Sequence, residues 1–272
     1  MRRAASAAVL GSAARRRDNG GMGNADLFAS VACEYANFRP GYPAGLIEWL
    51  ARESPARHAV WDCGCGSGQA SVALAEYFDE VFATDVAPEQ VAAARMHPRV
   101  RYSVAPAERS GLPDASVDLV TVAQALHWFD VGKFYEEARR VARPGALLAV
   151  WTYPRPEFIE PELDRVFHHF YSSVVGPYWP PERKHVEARY ESLPFPAGEI
   201  AHPPFALELR WNFEQVLGYV SSWSATARYR KETGANPLPL LRDSLRAAWP
   251  EDLPVKSLRM PLVLRVARIR AP

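Results

Sequence analysis

A glycine-rich turn between an apolar strand and a helix constrains the fold of this chain more than any other feature. The short apolar segment AVW leads into the motif Asp62-x-Gly64-x-Gly66-x-Gly68, and the helical pattern SVALAEYF follows directly. Glycines at such positions permit a tight turn and let a ligand approach the backbone closely. A strand, a glycine-rich turn and a helix in this order predict the nucleotide-binding edge of a parallel sheet.

Strand and helix patterns alternate through residues 59–153. Short apolar segments are separated by helical ones, among them a helix opened by Pro88 and a helix closed by Pro144-Gly145. This alternation predicts an α/β fold with a mostly parallel sheet covered by helices on both faces.

The pattern changes after residue 153. Residues 205–213 alternate with a period of two, and residues 260–269 form another strand candidate. Helical stretches are predicted between them, near 214–222, 225–232 and 238–248. We expect these two late strands to add an antiparallel edge to the sheet. We expect residues 154–204, rich in aromatic residues and proline, to lie over the carboxyl edge, where open α/β sheets bind ligands.

Length and composition are those of an ordinary globular protein, with 272 residues, 48% apolar and 23% charged. We predict a disordered or targeting extension over residues 1–26 and a single domain over 27–272. Its cofactor half is 27–153, and its substrate and cap half is 154–272. The first 21 residues are rich in arginine and alanine, which is typical of an organelle transit segment and equally of a disordered tail. Otherwise we expect a cytoplasmic protein.

Charge, hydropathy and cysteine content argue against nucleic-acid-binding, membrane-spanning, disulfide-rich and metal-binding proteins. The net charge is +1, and arginines alternate with acidic residues, so no nucleic-acid partner is expected. No apolar run reaches the roughly 18 residues of a membrane span. The three cysteines, Cys33, Cys63 and Cys65, fit neither a disulfide framework nor a metal site. We expect a monomer or weak homodimer that binds a small molecule and no metal.

Three ligands compete for the glycine-rich turn. A phosphate-binding loop ends in Gly-Lys-Ser/Thr, but here Gln69-Ala70 follow Gly68. The dinucleotide fingerprint has a glycine at the sixth position, where, counting from Gly64, this chain has Gln69. We expect Asp62 at the mouth of the turn, where its carboxylate would repel a pyrophosphate but would suit the ammonium and sulfonium groups of S-adenosylmethionine. The turn therefore favours S-adenosylmethionine over NAD.

Further candidate cofactor residues follow the next strands. Asp85 ends the second strand, where a carboxylate can accept hydrogen bonds from both ribose hydroxyls, although it could instead cap the next helix. Ala107 and Glu108 follow the third strand, near the expected position of adenine. Gln124 leaves the fourth strand towards the methyl group.

These segments resemble class I S-adenosylmethionine-dependent methyltransferases, in particular the trans-aconitate methyltransferase-like, or methyltransferase type 11, group. The resemblance implies a Rossmann-like sheet of seven strands, mostly parallel with an antiparallel last strand, plus helical cap elements. It implies S-adenosylmethionine as cofactor. The segments that carry it are YANFRPGYP (35–43), VWDCGCGSGQASVALAEYFDEVFATDVAPEQ (60–90), AERSGLPDASVDLVTVAQALHWFD (107–130), RPGALLAVW (143–151) and WSATARYRK (223–231).

Candidate residues for the acceptor substrate lie in three places. His127 is a candidate general base and Trp128 a candidate pocket wall, since both leave the fourth strand at the carboxyl edge. Arg39 is a candidate partner for a carboxylate. The remaining candidates for the substrate pocket are Tyr35, Tyr42, Trp179 and Trp223. Structural roles remain open for each of them: a histidine in a strand-to-helix loop, a surface arginine, or the aromatic core of a cap.

The favoured function is O-methylation of a small carboxylic acid, which follows from the family analogy. Transfer to nitrogen or carbon remains an alternative, as does a relative that binds the cofactor without catalysis. An aminopropyl transferase would need acidic residues around a polyamine channel, and no such cluster is seen near QALHW. A dehydrogenase fits least because of the glycine spacing.

Overall fold

The structure is a computed structural model that describes residues 39–250 and 254–269. The predicted extension over residues 1–26 and the predicted pocket residue Tyr35 lie outside these ranges. Within the described residues, no helix combines the length and apolar composition that crossing a bilayer requires.

Nine strands are present in the described part of the chain, and six of them form the main sheet. The order is β3-β2-β1-β4-β5-β9, with β9 antiparallel to β5 and the other neighbours parallel. The strands are β1 (Ala59–Cys63), β2 (Glu80–Asp85), β3 (Val100–Val104), β4 (Val117–Ala123), β5 (Ala142–Thr152), β6 (Glu157–Phe158), β7 (Ala206–Asn212), β8 (Val255–Pro261) and β9 (Val263–Arg268). The expected Rossmann-like sheet with an antiparallel last strand is confirmed.

The seven-strand count is wrong, because six strands form this sheet. Residues 206–212, expected beside the last strand, instead pair with β8 in a second sheet of order β6-β8-β7. The reason lies in their pattern, which alternates between buried and exposed positions along β7 and β8. Such strands suit an antiparallel sheet with one solvated face, whereas β1 is buried at every position. Only Leu262 separates β8 from β9, so one extended segment enters both sheets.

Helices cover both faces of the main sheet and complete the second half. In α7 the Asn212 side chain accepts from Gln215 N–H, and the Gln215 side chain accepts from Asn212 N–H, a capping box that starts the helix. The helices are α1 (Ala44–Glu53), α2 (Gln69–Ala75), α3 (Pro88–Ala92), α4 (Val131–Val141), α5 (Pro161–His169), α6 (Arg183–Glu187), α7 (Phe213–Ser221), α8 (Ser224–Thr233) and α9 (Leu238–Ala248). A π-helical turn, Phe170–Val174, extends α5.

Two buried clusters lie on opposite faces of the main sheet. One includes Trp151 and continues under the second sheet through Trp223 and Met260, so both sheets share it. The other includes Trp61 and Phe134 and is covered by α4. The second half of the chain thus closes over the carboxyl ends of β4 and β5.

Candidate cofactor and substrate site

The glycine-rich turn is a left-handed backbone path that crosses the end of β1. Gly64, Gly66 and Gly68 have φ of 69°, 54° and 84°, values that favour glycine. A Cβ on Gly64 would lie 2.6 Å from the Cβ of Ala125, and one on Gly68 would lie 2.1 Å from Tyr102 Oη. The turn therefore needs glycine both for its conformation and for its close packing.

Asp85 ties the end of β2 to this turn. Its Oδ2 accepts a hydrogen bond from Gly66 N–H at 2.8 Å, and its Oδ1 accepts from Ala87 N–H at 2.9 Å. The residue at the N-cap of α3 is Ala87, with no side-chain cap, so Asp85 is not that helix's N-cap. Burial raises the pKa of Asp85, and the two backbone hydrogen bonds oppose this rise. Each carboxylate oxygen retains a second lone pair for a ligand hydroxyl.

Asp62 lies beneath the turn and is fully buried. Its Oδ2 accepts from Ser71 Oγ at 2.6 Å and its Oδ1 from Thr121 Oγ1 at 2.9 Å. Burial raises its pKa to about 6, although both hydrogen bonds lower it. Asp62 was expected at the mouth of the turn. In its buried position the carboxylate would reach a ligand only through its electric field.

The other predicted cofactor residues lie along the same edge. Ala107 is buried after β3, and Glu108 is anchored by a hydrogen bond from Asp130 N–H to its Oε1, at 2.9 Å. Gln124 follows β4 with a φ of +59°. Its Nε2 donates to Tyr153 O at 3.0 Å, and its Oε1 accepts from Thr152 Oγ1 at 2.5 Å. Gln124 therefore joins the ends of β4 and β5.

A narrow cavity of about 50 Å³ begins at Gln124 and extends under the cap, the part of the chain after residue 153 that covers the carboxyl ends of β4 and β5. Gly64 packs against Ala125, which directly follows the lining residue Gln124. The cavity therefore lies next to the glycine-rich turn. Most of its wall is aromatic, with two arginines among the aromatic rings. The lining residues are Arg39, Gln124, His127, Trp128, Tyr153, Pro154, Tyr171, Trp179, Arg183, Tyr219, Ser222, Trp223 and Ser224.

The two arginines are held by aromatic rings and by oxygen acceptors. The Arg183 guanidinium lies 4.5 Å from the centroid of Trp179, and its Nη2 donates to Tyr171 Oη at 2.8 Å. Its Nε donates to Glu187 Oε1 at 3.0 Å. Arg39 lies 5.0 Å from the centroid of Tyr219, and its Nε donates to Ser222 Oγ at 3.1 Å. Arg183 Nη1 has no hydrogen-bond partner among the described residues.

His127 is uncharged in this site. Its Nδ1 lies 2.9 Å from the hydroxyl of Tyr190, and its ring packs against Trp128 with centroids 4.8 Å apart. Burial, and then the positive charge of Arg183, lower its pKa to about 3. The imidazole is therefore neutral at physiological pH and can accept a hydrogen bond.

The structure brings together most of the predicted substrate residues. Arg39, His127 and the three tryptophans Trp128, Trp179 and Trp223 all line the cavity. Tyr42 does not line it and instead packs edge-on against Trp151, with centroids 5.3 Å apart.

Sequence reasoning missed several lining residues. Tyr171 lies in the π-helical turn, and Tyr219 and Ser222 lie at the end of α7, far from the glycine motif along the chain. Tyr153 carried the one usable signal, since it directly follows β5 at the carboxyl edge of the sheet.

A glycine-rich turn after β1, with a carboxylate at the end of β2, defines a nucleoside-binding α/β domain. Residues 61–150 match the model of a methyltransferase domain family. A Dictyostelium discoideum protein named as a methyltransferase is 34% identical over 227 residues, covering 82% of this chain and 86% of that protein. A Saccharomyces cerevisiae protein named as an S-adenosylmethionine-dependent methyltransferase is 30% identical over 149 residues, 51% of each chain.

A solved structure agrees with these sequence matches. It is described as a type II methyltransferase from Anaeromyxobacter dehalogenans and is 48% identical. The alignment has a TM-score of 0.79 and covers 86% of this chain and all of the other. The chain belongs to the class I S-adenosylmethionine-dependent methyltransferases.

Proposed function

We propose that this methyltransferase transfers a methyl group to a carboxylate oxygen of a small, flat organic acid. The observation that carries the proposal is the pair of guanidinium groups, Arg39 and Arg183, set in the aromatic wall of the cavity beside the glycine-rich turn. Guanidinium groups pair with carboxylates in a planar geometry, and aromatic walls contact flat molecules.

The residues at the carboxyl edge fit S-adenosylmethionine. Asp85 keeps free lone pairs for the ribose hydroxyls, and the backbone of Gly64–Gly68 offers close approach without a phosphate-binding lysine. Ala107 and Glu108 would flank the adenine, and Asp62 would favour the positive end of the ligand. When bound, S-adenosylmethionine supplies a methyl group activated by its sulfonium.

On the acceptor side, the residues of this chain chiefly orient and enclose the substrate. Arg183 Nη1 would bind one carboxylate oxygen, and the rings of Trp179 and Trp223 would exclude water around it. A carboxylate is already ionised at neutral pH and needs no general base. Correct orientation can contribute roughly 7–11 kcal/mol in such reactions. A site that aligns the acid is therefore sufficient for this chemistry.

The cofactor half of the proposal is tested by calorimetry. We expect micromolar binding of S-adenosylhomocysteine and no measurable heat with NAD. Comparable affinity for NAD would contradict the assignment built on Asp62 and the early third glycine.

The substrate half is tested with labelled S-adenosylmethionine against small acids, phenols and amines. Arg183→Lys keeps the charge but loses the planar fork, so KM for the acid should rise at least about tenfold while S-adenosylhomocysteine affinity is unchanged. Arg242→Lys, at an exposed pair with Glu214, is the matched control. Methylation of amines, with acids inert, would refute the proposal.

A further inference from the structure

The Arg183 guanidinium is bonded to three groups that leave only one of its nitrogens uncommitted. Its Nη2 donates to the carbonyl oxygen of Pro154, and also to Tyr171 Oη at 2.8 Å. Its Nε hydrogen is shared between Tyr171 Oη at 3.1 Å and Glu187 Oε1 at 3.0 Å. A guanidinium has five N–H donors, so within the described part of the chain the two on Nη1 are those without a partner.

The Tyr171 hydroxyl is fully engaged in holding this arginine. Burial raises the pKa of Tyr171, so the hydroxyl keeps its proton at neutral pH and donates it to Glu187 Oε1. Its oxygen accepts from Nε and Nη2 of Arg183, which takes up both lone pairs. These directions are fixed, because a guanidinium only donates and a carboxylate only accepts. Tyr171 therefore lines the cavity with its ring but keeps neither a donor nor an acceptor for a substrate.

The groups around Arg183 come from separate segments of the cap. Tyr171 lies in the π-helical turn that extends α5, and such turns are uncommon and occur frequently at functional sites. Glu187 lies one turn along α6 from Arg183, and Pro154 follows β5. The guanidinium also lies 4.5 Å from the ring centroid of Trp179. Its orientation is therefore fixed by the fold of the cap.

Arg39, the second arginine of the cavity, is bonded to the protein along the same edge. Its Nε donates to Ser222 Oγ at 3.1 Å, and its Nη2 donates to Ser222 O at 3.3 Å. The Nε–Nη2 edge of a guanidinium can bind both oxygens of a carboxylate with parallel N–H groups. In both arginines this edge is already occupied. The two N–H groups of Arg183 Nη1 diverge from a single atom, so Nη1 binds one carboxylate oxygen and not both.

We propose that Tyr171 and Glu187 are positioning residues that occupy the Nε–Nη2 edge of Arg183, so that this arginine holds the acid through one carboxylate oxygen and the other oxygen attacks the methyl group. This inference rests on the proposed function, since it concerns the same acid in the same cavity. The attacking oxygen forms the new bond to carbon while the carbon–sulfur bond breaks and its electron pair goes to sulfur. An acid bound at both oxygens would first have to break a charge-assisted hydrogen bond to its nucleophile.

The state of Arg183 is measured without any substrate, by proton–nitrogen-15 NMR of the full-length protein. Arg183→Lys assigns its Nε–H signal. Arg242 is the internal control, assigned by Arg242→Lys, since it is exposed and its bonds to Glu214 come from Nη1 and Nη2. We expect the Nε–H of Arg183 to exchange with water at least about tenfold more slowly than that of Arg242, because it is hydrogen-bonded. Equal exchange rates would overturn the inference.

The binding of the acid is tested by opening that edge with the double variant Tyr171→Phe/Glu187→Ala. Benzoate is the probe, and its single-turnover methylation is measured with labelled S-adenosylmethionine. At saturating benzoate the rate should fall by about tenfold to a hundredfold, while the Kd for benzoate stays the same or falls, because the opened edge binds both oxygens. A higher Kd for benzoate, or an unchanged rate, would refute the inference. A role in cap stability alone would lower the melting temperature without this combination.

Two control variants separate position from charge and from the loss of an ion pair. Glu187→Gln keeps the Oε1 acceptor that Tyr171 and Arg183 both use but removes the charge, so its rate should stay within about twofold of the wild type. Glu232→Ala breaks an exposed pair with Arg228, of the same four-residue spacing, and should change neither rate nor Kd. A loss of rate in Glu187→Gln as large as in the double variant would assign the effect to charge and overturn the inference.

The two proposals fail in different ways. If amines are methylated and acids are not, the proposed function fails, while the exchange rates still decide whether Tyr171 and Glu187 hold Arg183. If benzoate is methylated and the double variant only weakens its binding, the proposed function stands and the inference about Arg183 is wrong. If the double variant does not fold, the exchange rates of the wild type and the methylation rate of Glu187→Gln still test the inference.

Discussion

The two acidic residues around the glycine-rich turn differ in what their carboxylates contact. Asp62 is enclosed and accepts hydrogen bonds only from the hydroxyls of Ser71 and Thr121, whereas Asp85 accepts from backbone N–H groups of the turn itself. Hydroxyls can turn to suit an amide, but a backbone N–H can only donate. The same Asp→Asn change therefore has opposite effects on stability at the two positions.

Asp62→Asn should stabilise the protein at neutral pH and weaken cofactor binding. Because the pKa of Asp62 is raised to about 6, ionising it in the folded state costs on the order of 3 kcal/mol above that pH. The wild type therefore loses stability as pH rises from about 4 to 6, and the variant does not. Urea unfolding at pH 4 and pH 7.5 measures the difference, with the exposed Asp79→Asn as control. A variant less stable than wild type at pH 7.5 would contradict this account.

Asp85→Asn should destabilise the protein and also weaken cofactor binding. Asn retains one acceptor oxygen, so either Gly66 N–H or Ala87 N–H faces an amide donor, at a cost of about 1–3 kcal/mol. Loss of a charge-assisted bond to the ribose should lower S-adenosylhomocysteine affinity by about 2 kcal/mol, or about thirtyfold. Calorimetry and a thermal melt give both quantities. Unchanged affinity with a lowered melting temperature would mean that Asp85 only stabilises the turn and does not bind the ribose.

At the scale of elements, the sequence predicts what depends on neighbours along the chain. The glycine-rich turn and the strands around it follow from local pattern, and the helices near 214–222, 225–232 and 238–248 lie within two residues of the observed ones. The pairing of β7 with β8 does not follow from local pattern, because it joins segments more than forty residues apart. Tyr171 and Tyr219 escaped prediction for the same reason: only the folded cap brings them to the cavity.

Gly68→Ala tests how tightly the turn is packed against β3. Its φ of +84° costs a non-glycine residue about 1–2 kcal/mol, and its Cβ would clash with Tyr102 Oη. Gly111→Ala is the matched control, since Gly111 has a φ of +77° and open space around it. We expect Gly68→Ala to be the more destabilising in urea unfolding. Tyr102→Phe should recover part of the excess, because the nearest remaining ring atom is 3.0 Å away. Equal losses at both glycines would show that packing plays no part.

At the scale of the whole molecule, one buried hydrophobic cluster joins the main sheet to the cap. A lysine side chain, Lys256, is buried with it. Lys256 on β8 is 1% exposed, and its Nζ has no hydrogen-bond partner among the described residues. The ring of Trp249, 5.8 Å away, offers a weak contact to this ammonium. A buried ammonium without acceptors lowers the stability of the folded state.

Lys256→Met should raise the free energy of unfolding by about 1–3 kcal/mol, because Met fills a similar volume without the charge. Methyl transfer should be unchanged, since Lys256 does not line the cavity. Lys231→Met, on the exposed end of α8, removes the same charge and should change stability by no more than about 0.5 kcal/mol. Urea denaturation measures the free energy of unfolding of both variants and of the wild type. A less stable Lys256→Met would mean that the ammonium is held by more than the Trp249 ring.

The single extended segment that contains β8 and β9 sets the order in which the enzyme can be assembled during translation. The first five strands leave the ribosome long before this segment, which supplies both the last edge of the main sheet and the middle strand of the second one. Until it emerges, β5 is an open edge able to pair with another chain, and Tyr190 O lacks the hydrogen bond that Arg265 Nη1 donates to it. The nascent chain therefore remains partly paired until β8 and β9 are synthesised, and in that state chaperone binding or aggregation competes with folding.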